Sequence, residues 1–128
     1  MRGEKLDLHH RDLLFSRLKA AGVALSEYTF ANLYLFRRNH DYEIIKDREV
    51  FVRGISYDGR TYLMPTVDVR TLDPRYLREI MADVDFLFPI PEAWLTAFDE
   101  RSFDIVFAGG DADYLYTVEK MSTFAGRR

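Results

Sequence analysis

The side chains best suited to chemistry in this sequence are three histidines, His9, His10 and His40, and a scatter of carboxylates. Neighbouring side chains on a helix point about 100° apart. His9 and His10 are therefore not expected to chelate one ion together, and a solvated helix start is their expected role. His40-Asp41 has the types for an acid–base pair, but no third group is fixed nearby in sequence, so a plain turn is expected. Asp111 and Asp113 lack the glycine and closing glutamate of a calcium loop. Turn chemistry accounts for them. Glu79, Asp83 and Asp85 read as a solvated helix end. GISYDG and FAGGDADY carry neither the Lys-Ser/Thr of a nucleotide loop nor the strand–glycines–helix setting of a dinucleotide fingerprint. No Gly-x-Ser-x-Gly elbow is present. The absence of cysteine removes thiol nucleophiles, disulfides and zinc–thiolate sites. No metal site and no self-sufficient active site are expected.

The totals narrow the class. The 128 residues carry a net charge of −3, which argues against a broad nucleic-acid footprint. Lys120, Arg127 and Arg128 make only a small basic patch. Hydrophobic residues make up 48% of the chain, and eight Tyr with ten Phe predict an aromatic-rich core. One domain is expected, burying roughly two thirds of its unfolded surface. The charged start MRGEKLDLHH has no signal-peptide core, and no run approaches ~18 apolar residues. A cytoplasmic location is the default expectation.

The elements that must position any site follow from periodicity. Residues 1 to 6 read as frayed. Asp7 to Gly22 reads as a helix, with Leu14, Leu18 and Ala21 at helical spacing, Phe15 beside them, and Gly22 as its stop. Leu25 to Arg37 reads as a central helix capped by Ser26, with a staple between Leu25 and Phe30. It is apolar all round, which predicts cover on most sides. Three strands follow: Tyr42 to Ile45, Glu49 to Ile55 and Arg60 to Pro65. The Asp58-Gly59 turn joins the last two as an antiparallel meander. Asp73-Pro74 opens a helix with Tyr76, Leu77, Ile80 and Met81 inward. DFLFP is a strand, Pro91-Glu92 opens a helix with Trp94, Leu95 and Phe98 inward, and FDIVFA and DYLY are strands. Gly109-Gly110-Asp111 turns between them, and a helix runs from Val118 to Phe124. The class is α+β, one mostly antiparallel sheet with helices on its faces.

Two stretches carry a family resemblance. SEYTFANLYLFRRNHDY, residues 26 to 42, and DADYLYTVEKMSTFAGRR, residues 111 to 128, resemble blocks of the DUF2156 family, that of the C-terminal catalytic domain of phosphatidylglycerol lysyltransferases. YDGRTYLMPT resembles its hairpin and FLFPIPEAWL its strand-then-helix. The resemblance implies a GNAT-like (acyl-CoA N-acyltransferase-like) fold built as two tandem halves, of which this chain is similar to the N-terminal one. Family enzymes move an aminoacyl group from charged tRNA to a phospholipid headgroup. The groove between halves would be incomplete here, so the implied role is structural. The expected partner is the missing second half or a second copy of the chain. The alternative is an acyl- or aminoacyltransferase whose groove a homodimer or partner chain completes. The loop Thr66 to Asp73 has no glycine, so acetyl-CoA is not expected and no cofactor is implied. Residues placed to line the surface between halves are Glu27, Tyr28, Asn32, Tyr34, Tyr114 and Tyr116.

Overall fold

Asp7 starts the first helical stretch. Its carboxylate accepts the Leu8 N–H at 2.7 Å, and His10 Nδ1 accepts the Asp7 N–H at 3.1 Å. This reciprocal box opens a 3₁₀ turn, Leu8–His10, which leads into helix α1, Arg11–Ala21. Leu14 and Leu18 are buried as expected, and Gly22, at φ 66°, takes the left-handed stop that glycine adopts without strain. Phe15, expected beside them, is instead 58% exposed. The computed structural model describes residues 2–95, 98, 101–107 and 112–117, with the backbone alone at 26, 107, 112, 113, 116 and 117.

The stretch expected as one central helix divides in two. Ser26–Tyr28 forms a 3₁₀ turn, Thr29 is extended, and helix α2 spans only Phe30–Leu35. The cap is Thr29, whose hydroxyl accepts the Asn32 N–H at 3.2 Å, whereas Ser26, the expected cap, lies inside the preceding 3₁₀ turn. The extended residue breaks the helical period, so the apolar side chains before and after it do not share one cylinder. Leu33 is buried, but Leu35 is 70% exposed. The expectation of cover on most sides is therefore corrected.

Residues expected to fray form strand β1, Gly3–Lys5, paired antiparallel to β2, Glu43–Lys46. Strands β3, Val50–Ile55, and β4, Thr61–Pro65, complete the expected meander. Gly59 turns at φ 84° between them. Asp73 caps helix α3, Pro74–Met81, which buries the four residues expected. Strand β5, Phe86–Pro91, the short helix α4, Glu92–Leu95, and strands β6, Phe103–Phe107, and β7, Ala112–Thr117, follow. The expected turn at 109–111 and helix at 118–124 lie outside the described residues.

The seven strands make one sheet in the order β1-β2-β3-β4-β5-β7-β6. All neighbours are antiparallel except β4 and β5, whose parallel ladder registers only Tyr62 with Phe86 and Leu63 with Leu87. The fold is α+β, as expected. Alternate residues on a strand face opposite ways. Leu63, Leu87 and Leu115 lie in one row across the centre of the sheet, all fully buried. Phe51 and Tyr76 of α3 meet on that side, at a ring separation of 6.4 Å. Tyr62, Met64, Phe86 and Phe88 face the other way, towards α2 and the turn before it. Among the described residues no helix is long and apolar enough to cross a membrane.

Candidate functional site

The opposite row builds a cleft of about 420 Å³ between the sheet and α2. Its floor is aromatic. Tyr62 stacks on Phe86 at 5.4 Å and meets Phe88 edge-on at 5.9 Å, while Phe88 stacks on Tyr114 at 4.5 Å. The β3–β4 turn supplies Ser56 and Tyr57, and α2 with its preceding turn supplies Glu27, Asn32 and Phe36. His40 and Tyr42 close the remaining side. A concave, ring-lined pocket with a few converging polar groups is the usual form of a small-molecule site.

A pair of phenols sits at its base. Tyr62 donates to the Tyr42 hydroxyl at 3.3 Å. Burial raises the pKa of both above the ordinary phenol value, and the Glu27 carboxylate adds to the shift in each. They stay neutral at physiological pH and present hydroxyls, not phenolates. Gly54 makes their approach possible. A Cβ there would stand 2.8 Å from the ring carbons of both tyrosines. Glu27 is the one group among the described lining residues that is formally charged at neutral pH, with histidine neutral.

His40 has a defined tautomer. Its Nδ1 lies 2.9 Å from the Ile55 carbonyl oxygen, which can only accept, so Nδ1 carries the proton. In the neutral ring, Nε2 is then the nitrogen with the lone pair. The ring stands 4.9 Å from Tyr57 and 5.3 Å from Tyr42. The residue lies at a turn, as expected, and its ring is also part of the cleft wall.

The six residues expected at a surface between halves separate. Glu27, Asn32 and Tyr114 come together in the cleft. Tyr28 is buried, and its hydroxyl donates to the Pro89 carbonyl at 3.0 Å, pinning the 3₁₀ turn to β5. Burial also raises its pKa. Tyr34 is not among the cleft residues; it stacks on Phe30 at 5.6 Å under the Arg37 guanidinium. Tyr116 lies on β7 with its side chain outside the described residues, as does that of Asp113. Asp85 accepts the Thr61 N–H at 2.9 Å and is a strand clamp.

Sequence reasoning missed Tyr42, Gly54, Tyr62, Phe86 and Phe88 as site residues. The signal was the alternation in RTYLMP and FLFP, which puts Tyr62 with Met64 and Phe86 with Phe88 on one face. It also misjudged His9 and His10. Both lie on a 3₁₀ turn, and their Nε2 atoms approach one oxygen of Glu4, Oε2, to 4.0 and 3.9 Å. The two can therefore face one point.

No family model, curated protein or solved structure matches this chain.

Proposed function

We propose that this chain is a GNAT-like half-domain, related to the aminoacyl-tRNA-dependent transferases that the DUF2156 resemblance implies, and that it packs and binds without catalysing alone. The observation that carries this reading is the rim of the cleft. Phe36 at the end of α2 and Tyr57 in the β3–β4 turn both line it, and they are 38% and 81% exposed. Apolar surface gathered around a ring-lined pocket is the mark of a face that another body covers. The occupant is a second acyltransferase-like lobe or a second copy of this chain. The strand order, with its single parallel pair beside the cleft, supports the GNAT-like assignment. The start of α3 supports a role without CoA: Asp73 already occupies it, accepting the Arg75 N–H at 2.9 Å, where a pyrophosphate would need free donors.

The second reading is a transferase whose groove a partner completes. His40 favours it, because an imidazole lone pair beside two neutral phenols is suited to taking a proton from an acceptor. Calorimetric titration with acetyl-CoA and with aminoacyl-tRNA separates the two. The packing role predicts no heat from either with the lone chain. Saturable binding of either one replaces it with the transferase.

A further inference from the structure

We propose that Glu4, His9 and His10 form a site for a divalent transition metal, of the zinc or nickel type, that joins β1 to the start of α1. The three ligand atoms lie within 4.8 Å of one another. His10 supplies the independent observation. Its side chain is 1% exposed, and its Nε2 has no hydrogen-bond partner while lying 3.9 Å from Glu4 Oε2. Buried polar atoms are almost always satisfied, so an orphan aimed at a carboxylate calls for a ligand. His9 Nε2 lies 4.0 Å from the same oxygen, and the two imidazole rings are 3.9 Å apart. Around a tetrahedral ion, such atoms stand roughly 3.3 Å from one another. The closure needed is therefore about 0.6 Å for each imidazole–carboxylate pair and at most about 1.5 Å between the two imidazoles. Glu4 and His9, at 52% and 66% exposure, are free to supply it by side-chain rotation. Two imidazoles and one carboxylate select zinc or nickel over magnesium or calcium, which prefer oxygen ligands alone. Three protein ligands leave a fourth position for water.

Two neighbours shape the site. Lys46 Nζ holds Glu4 Oε1 at 3.0 Å, so Oε2 is the oxygen left for an ion. His10 Nδ1 now accepts the Asp7 N–H, which places the ring proton on Nε2. Metal binding at Nε2 needs the lone pair there, so the ring proton moves to Nδ1. Nδ1 then donates instead of accepting, and the Asp7 bond breaks. Loading and the capping box therefore compete, and the Asp7 amide reports on loading.

The test is zinc titration of the full chain against a chromogenic chelator, with cobalt absorption as a check on geometry. The expected result is one zinc per chain, tetrahedral cobalt bands, and affinity lowered about tenfold or more in both Glu4→Gln and His9→Ala. Both substitutions are at exposed side chains and leave the fold intact. His40→Ala, away from the site, keeps full affinity, and at the same free zinc the melting temperature rises more in the wild type than in Glu4→Gln. In an amide spectrum, Asp7 shifts on loading. Absence of zinc binding, or binding that survives both substitutions or vanishes in His40→Ala, overturns the proposal.

Discussion

Gly54 shows how a single hydrogen atom sets the depth of the cleft. It pairs with Tyr62 across the β3–β4 ladder, and the Tyr42 and Tyr62 rings close over the space where a side chain would be. Gly54→Ala must push one ring outward. Overpacking of this kind costs about 1–3 kcal/mol. Urea denaturation is expected to show that loss, and an unchanged midpoint would mean the rings give way freely. His10 sets a second residue-scale expectation. Burial, followed by the nearby His9, lowers its pKa from the ordinary 6.5. The unfolded chain therefore takes up this proton at higher pH than the folded one. Stability held at neutral pH is lost as the pH falls through about 6.5 towards the folded value. Glu4, lowered by Lys46, titrates below its ordinary 4.5 and falls outside that window. Urea midpoints at about pH 7.5 and about pH 5.5 are expected to separate more in the wild type than in His10→Gln. Equal separations in the two proteins would contradict the assignment.

At the scale of elements, β1 is the informative strand. Leu6, just after it, is 5% exposed, and its N–H donates to the Tyr42 carbonyl at 3.0 Å. Leu6→Ala is expected to cost about 2–5 kcal/mol, measured by thermal or chemical unfolding. A change within about 0.5 kcal/mol would fit a frayed terminus instead. This strand was illegible in the sequence because Gly-Glu-Lys has neither alternation nor apolar residues; the sheet edge imposes its pairing from outside. The meander and α3 were legible because Asp58-Gly59 and Asp73-Pro74 encode their turns locally. The stretch Leu25–Arg37 misled for the opposite reason. Its aromatic density imitates a buried helix, while Thr29 takes an extended conformation that no period records. The cleft was half legible. Glu27, Asn32 and Tyr114 could be singled out, but Tyr42, Tyr62 and Phe88 come from separate strands, and only the sheet order brings them together. The same holds for Glu4, which reaches His9 and His10 because β1 exists.

The described residues form a seven-stranded sheet with α3 on one face and, on the other, α2 and the turn before it, which leave a cleft over an aromatic floor. The account of its function rests on that asymmetry: the open rim belongs against another body. Whether that body is a second lobe or a second copy, the lone chain is left with the same apolar rim, so it should self-associate. Light scattering coupled to size exclusion measures this directly on the 15.1 kDa chain. The predicted result is a mass that rises with concentration to twice the chain mass and falls back to the monomer in Phe36→Asp combined with Tyr57→Ser. A wild-type chain that remains monomeric at the highest attainable concentration would contradict it.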